Sequence, residues 1–252
     1  MSIKIAFSAP TATPSEQDQL FQQYQVIGYD GLQLKHGQYA QYLLEPELFL
    51  EQWGHLPGIA SALIMGGQLN EETIQTLKPI VNFAKKLGTD KIVFCHGVSR
   101  ATVTHNDIKD FGRKLSQIGL YTAEQGVKLS LHHHYDQPVM YREDFDLFFE
   151  NAEQGSIGLT VDTAHLVKSG IADVAEVLSS FSSVIDNIHL KDIKGNEWKV
   201  LGEGTIDFTT IFNQLAKQNY QGWISADEES GGDLIVGMQS CYSFINSMLH
   251  KS

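Results

Sequence analysis

The chain has 252 residues, with 18 Lys and Arg against 30 Asp and Glu for a formal charge of −12; 42% of its residues are hydrophobic and 19% charged. This composition excludes collagen, coiled coil and wholesale disorder, and the length is enough for one large core. Acidic charge spread along the whole chain repels phosphate backbones, so no nucleic-acid partner is expected, and no run approaches the roughly 18 consecutive apolar residues of a membrane helix.

The opening MSIKIAFSAP lacks the charged segment and apolar core of a signal peptide. Cys95 and Cys241 have no CxxC spacing. Two buried, inert thiols in a reducing compartment are the expectation, so the predicted location is cytoplasmic, with no membrane partner.

Short β-rich runs alternate with longer helical patterns. Strands are predicted over 3–8, 31–35, 59–65, 91–96, 128–134, 158–162, 184–191 and 223–227. Helices are predicted near Glu16 and Tyr42, and the segment 39–53 is the least defined. Asn70 opens a helix with Ile74, Leu77, Val81, Ala84 and Leu87 on one face, lysines in its last turn and Gly88 as terminator; Pro79 is expected to kink it. A second long helix is predicted from Asn106 to Gly126, and later ones near Arg142, Asp173, Phe208 and Leu234.

Eight strand–helix units average about 31.5 residues each, the length of a strand plus its crossover helix. The reading is therefore α/β: a (β/α)8 TIM barrel, one domain over 1–252. A doubly wound open sheet is the competitor, but AFSAPTATP rather than GxGxxG follows the first strand.

A barrel of this kind builds its active site at the C-terminal ends of its strands. The fifth strand ends in His132, His133 and His134, with the first and third on one face. Asp162 ends the sixth and His165 follows; the seventh offers His189 and Lys191, and the eighth ends in Asp227, Glu228 and Glu229. Two imidazoles and two carboxylates can thus converge. Clustered carboxylates repel one another, and one divalent cation relieves that repulsion while leaving positions for substrate. Nitrogen and oxygen donors in this mixture suit Mn2+ first, then Co2+ or Zn2+.

Other readings compete for each residue. Asp162 can serve as a helix N-cap, His134 and His96 can bond loop carbonyls, and Lys191 can be an ion-pair partner. His189 inside apolar NIHL needs a buried partner, which strengthens its reading as a ligand. His133 points away from its neighbours. Trp198 either caps the site or packs in its loop, and LGEGTIDF reads as a turn and strand before a helix capped by Asp207.

GYDGLQLK at 28–35, FAKKLGTDKIVFCHG at 83–97, LSLHHH at 129–134, VDTAH at 161–165, IHLKD at 188–192, LGEGTIDF at 201–208 and YQGWISADE at 220–228 span nearly the whole chain. In that order they resemble the sugar isomerase/epimerase superfamily with the xylose isomerase-like barrel, which includes D-tagatose 3-epimerase, hydroxypyruvate isomerase, inosose dehydratase and endonuclease IV. The resemblance implies a metal held by His132, Asp162, His189 and Asp227, with His165 and Lys191 facing a small carbohydrate. It also implies a homo-oligomer, dimer or tetramer by family habit.

Two positions depart from the epimerase pattern. His132 stands where epimerases carry Glu, a choice associated with inosose dehydratase-like members. Asp227 stands where Glu is usual, so Glu228 or Glu229 takes its place if the strand bulges. The symmetric pair of carboxylate bases is therefore lost. The implied chemistry is proton abstraction α to a polarised carbonyl by Glu229 or Asp227, with His165 or His134 as proton donor and Lys191 stabilising charge on oxygen. His134, His96 and Trp198 are the expected substrate contacts. Reprotonation gives an isomerase or epimerase, the first reading; loss of a β-hydroxyl gives an inosose dehydratase-like lyase; a sugar-binding barrel with a degenerate site is the non-catalytic alternative. The segment KGNEWKVLGEG lacks the extra ligands of the endonuclease group.

Overall fold

A computed structural model describes residues 3–250; Met1, Ser2, Lys251 and Ser252, which the expected domain bounds include, lie outside the described residues. In chain order the elements are β1 (Lys4–Ser8), α1 (Pro14–Ile27), β2 (Gly31–Leu34), α2 (His36–Tyr39), α3 (Pro46–Trp53), β3 (Ala62–Gly67), α4 (Glu71–Leu87), β4 (Lys91–His96), α5 (His105–Glu124), β5 (Lys128–His132), α6 (Arg142–Phe149), β6 (Gly158–Asp162), α7 (Thr163–Lys168), α8 (Val174–Ser180), β7 (Ile185–Leu190), β8 (Asp192–Lys194), β9 (Glu197–Lys199), α9 (Phe208–Lys217), β10 (Trp223–Asp227) and α10 (Leu234–Leu249). Single 3-10 turns occupy Ala40–Tyr42 and Arg100–Thr102.

Eight strands pair in parallel in the closed order β1, β10, β7, β6, β5, β4, β3, β2, and β8 and β9 form a separate antiparallel hairpin. The predicted (β/α)8 barrel is therefore the observed one. Closure comes from β1 against β10, with Lys4 opposite Trp223 and Ser8 opposite Asp227. Helices seal the outside with regular apolar faces. In α9, Phe208, Ile211, Phe212 and Leu215 are all buried at a 3, 1, 3 spacing. Each such side chain contributes about 2 kcal/mol of burial.

Several boundaries move. The third strand starts at Ala62, not at residue 59. Ile59 begins a turn bonded to Leu56, and Ser61 reaches the Leu32 carbonyl through both its amide and its hydroxyl, so this buried apolar run is connection rather than strand. Thr104, not Asn106, caps α5: its Oγ1 accepts the Asp107 amide proton while the Asp107 carboxylate accepts that of Thr104. Helix α4 runs through Pro79 between the expected Asn70 cap and Gly88, which closes it in the left-handed conformation. The fifth strand ends at His132, two residues early, because a turn joins the Gln137 amide to the His134 carbonyl. LGEGTIDF contains no strand.

Two features of the closed wall position the site. Strands β2 and β7 are separated in the wall by β1 and β10, so the hydrogen bonds between Gln33 and Asn187 cross the lumen. Ala62, Ile64, Val93 and Cys95 form a separate small apolar cluster. Polar Gln33, Ser130, Thr160, Asn187 and Ser225 are buried alongside this apolar lining.

Candidate active site

Asp162 is the last residue of β6 and the N-cap of α7, and the two readings of it coexist. Its Oδ1 accepts the His165 amide proton at 2.9 Å, which leaves Oδ2 buried without a hydrogen-bond partner, 3.6 Å from His132 Nε2. His189, from β7, holds Gln33 Oε1 at 2.8 Å through Nε2, and its Nδ1 is buried and unpartnered. One donor atom from each of His132, Asp162 and His189 lies within 4.8 Å of the other two. His133 stands outside this group and instead accepts the Asp162 amide proton at 2.9 Å, fixing the end of β6.

Burial opposes charge on all three residues. It lowers the pKa of His189 to about 3. Burial also resists ionisation of Asp162, but His165, His132 and Lys191 hold its carboxyl well below the usual range. On His132, burial is outweighed by the sulfur of Cys95 and the Asp162 carboxylate, which push its pKa up to about 10. A carboxylate oxygen and an imidazole nitrogen buried without partners are costly. Two imidazoles and a carboxylate at this separation fit a divalent cation, which would remove that cost.

The fourth expected ligand, Asp227, is not in this group. Its Oδ1 accepts from Lys35 Nζ at 2.7 Å and its Oδ2 from Lys191 Nζ at 3.1 Å. Glu229 bridges the same two lysines, at 2.9 Å from Lys35 and in a short contact with Lys191. The result is a ring of two ammonium and two carboxylate groups beside the ligand group. Burial works against charge on both Lys191 and Asp227, yet the carboxylates raise the lysine pKa and the two lysines hold Asp227 well below the usual carboxylate range. Glu228 turns away: its Oε1 accepts the Ser230 amide proton and its Oε2 lies 3.8 Å from Cys241 Sγ. Lys35 was not among the residues expected from sequence.

His165 and His134 stack with ring centroids 3.6 Å apart. Burial drives the His165 pKa down to about 2 and lowers that of His134. Burial thus favours the neutral form of both rings, the proton donors expected from sequence. Trp198 lies 5.0 Å from the His165 ring, with Lys168 and Lys191 ammonium groups 4.2 and 4.8 Å from its centroid. It thus covers the Lys191 corner of the lysine ring. His96 is elsewhere: its ring packs 4.6 Å from Phe111 of α5, on the helix side of the wall, apart from the other strand-end residues. A second set of donors, His105, Glu143 and Asp144, is largely exposed, and its one buried member, Asp144, is held by both Arg100 Nε and Nη2.

Trp198 sits on the β8–β9 hairpin, and Asp192 ties that hairpin down. The buried Asp192 carboxylate accepts amide protons from Ile193, Gly202, Gly204 and Ile206 at 2.8 to 3.3 Å. Gly204 is required by this approach, since a Cβ there would lie 2.1 Å from Asp192 Oδ1. Replacing Asp192 with Ala removes the acceptor of four amides, at buried Ile193, half-buried Gly204 and Ile206 and exposed Gly202, and the expected loss is about 2 kcal/mol of stability in urea unfolding. A loss below about 0.5 kcal/mol would mean that the loop is held by other contacts.

Residues 27–239 match the family model described as xylose isomerase-like TIM barrel. Among curated proteins, inosose dehydratase of Clostridium tetani is 32% identical over 145 residues, 50% of this chain and 48% of that protein. The chain thus spans about half the length of the curated relatives it matches. Among solved structures, the probable 3-DHS dehydratase AsbF of Bacillus anthracis superposes with TM-score 0.82 at 13% identity, covering 97% of this chain and 99% of that one. A structure described as IOLI protein with a binding zinc atom gives TM-score 0.79 at 17% identity, covering 99% of both. These two likenesses are of fold. Among the described residues no helix is long and apolar enough to cross a membrane.

Proposed function

The chain belongs to the xylose isomerase-like TIM barrel family, and from that premise we propose that it is a divalent-metal-dependent lyase that removes water from a keto-polyol of the inosose type. This reading reverses the order expected from sequence, where isomerisation came first. The observation that carries it is the asymmetry of the site: imidazoles and Asp162 on one side, and on the other a carboxylate, Glu229, in direct contact with a buried ammonium, Lys191. One base and one adjacent acid are what an elimination needs, whereas exchange of a proton on two faces of one carbon needs two bases. The relatives named inosose dehydratase, at 32% identity over half the chain, support the same choice.

His132, Asp162 and His189 would hold the cation, which would supply Lewis acidity to polarise a carbonyl and acidify the adjacent C–H. Glu229, whose side chain is 30% exposed and so reachable from the mouth, takes the α-proton. Lys191 stands beside it as an ammonium, donates its proton to the departing β-hydroxyl and so releases water. The Glu229–Lys191 contact then returns the abstracted proton from carboxyl to amine, and both groups are restored. Asp227 and Lys35 hold the two reacting groups in register. The neutral His165 and His134 and the face of Trp198 bound the substrate. Beside Lys35, a cleft of about 720 Å³ lined by the loops after β1 and β2 leads toward this region.

Purified protein supplied with Mn2+ and a keto-inositol is expected to develop the ultraviolet absorbance of an enone or diketone. Incorporation of solvent deuterium into recovered substrate, with no absorbance change, would instead select isomerisation. No reaction and no bound metal would leave the non-catalytic reading.

A further inference from the structure

The buried hydrogen bonds of the barrel lumen have a direction. At the lower end, Lys91 Nζ holds Asp186 Oδ2 at 2.7 Å. A carboxylate only accepts, so the Ser130 hydroxyl must donate its one proton to Asp186 Oδ1, 2.7 Å away. Ser130 Oγ and Thr160 Oγ1 are also 2.7 Å apart, and with the Ser130 proton committed, Thr160 must be the donor. Its oxygen is then free only to accept, which it does from Asn187 Nδ2 at 3.4 Å. That orients the Asn187 amide, setting its Oδ1 against Gln33 Nε2 at 2.8 Å and its Nδ2 against Gln33 Oε1 at 3.0 Å. Gln33 Oε1 therefore faces His189 Nε2, at 2.8 Å, as an acceptor. Turning both amides over would oppose the Asn187 oxygen to the Thr160 oxygen, which has no proton left to give.

We infer that Gln33, held in one orientation by the chain Asp186, Ser130, Thr160 and Asn187, is a positioning residue that fixes the neutral His189 ring with its proton on Nε2 and its lone pair on Nδ1. The side chains of Ser130, Thr160, Asn187, Gln33 and His189 are all 0 or 1% exposed, so water does not compete for these bonds. Nδ1 is the nitrogen left without a partner. The consequence for metal binding rests on the proposed function: the ring arrives in the tautomer whose free nitrogen can ligate, and no proton has to move between its nitrogens when the ion binds.

The test begins without metal. In metal-free protein with 15N-labelled histidine, long-range 1H–15N spectra at pH 7.5, with the His189 ring assigned by its loss in His189→Ala, are expected to show the Nε2–H form alone. Gln33→Leu removes the acceptor and is expected to give a mixture of both neutral tautomers and to weaken Zn2+ binding by about tenfold. Gln33→Glu keeps an acceptor opposite Nε2 while losing the donor to Asn187 Oδ1, and is expected to keep the proton on Nε2. A wild-type ring protonated on Nδ1, or a Gln33→Leu variant with an unchanged ring and unchanged Zn2+ affinity, would overturn the inference. If Gln33→Leu fails to fold, the wild-type spectrum still decides. A wild-type ring in the Nε2–H form in a protein that binds no Zn2+ would support the orientation of His189 by Gln33 and overturn the metal reading separately.

Discussion

Asp162→Asn is expected to weaken divalent-metal binding by at least about 100-fold and to remove measurable turnover, while the protein stays folded. The separation arises because Asp162 does two jobs with two oxygens. The Asn side-chain oxygen can still accept the His165 amide proton and cap α7, so the helix start survives. The second atom, now an amide nitrogen, carries protons toward His132 and can no longer act as an anionic donor. Metal content by atomic emission after dialysis, alongside thermal unfolding, checks both halves. A variant that retains metal at wild-type occupancy would remove Asp162 from the ligand group.

Glu229→Gln is expected to show the complementary pattern: turnover lower by about 10²- to 10⁴-fold, with metal occupancy unchanged. Glu229 accepts from Lys35 through Oε1 and from Lys191 through Oε2, so the glutamine keeps an acceptor for only one of the two lysines and the ring loses one anion and one hydrogen bond, while Asp227 still bridges both ammonium groups. What the glutamine cannot do is take up a proton. Steady-state kinetics with the keto-polyol, together with metal analysis, distinguish the two variants. If Glu229→Gln turned over at the wild-type rate, the base would have to be sought elsewhere in the ring, with Asp227 next.

The barrel was legible because each strand is a short apolar run and each long helix carries its own stop signals. The 59–65 run shows the limit: Ile59 and Ala60 are as buried as strand residues, and only the bonds of Ile59 to Leu56 and of Ser61 to Leu32 mark the segment as a connection. Polar residues at strand ends marked out His132, Asp162 and His189, which the fold brings together. Which of them meet depends on closure. Asp227 and Lys35 are 192 positions apart, and nothing local to WISADEE announces that two lysines occupy its carboxylates. His96 failed through the phase of alternation, since one step along β4 separates a ring near the lumen from one against α5.

Two further signals stand in the sequence. Gln33, between Leu32 and Leu34, is a polar residue inside an apolar strand and calls for a buried partner by the argument applied to His189. The pair Gly195–Asn196 between DIK and EWK has the form of a two-residue hairpin turn, and Gly195 adopts φ 62° there.

The cover over the Lys191 corner is pinned by main-chain amides converging on Asp192, so its frame depends little on which side chains it displays. Position 198 and its neighbours on β9 are therefore free to drift in evolution while the scaffold keeps its shape, and changes of substrate preference within this barrel are expected to accumulate there before they reach the strands.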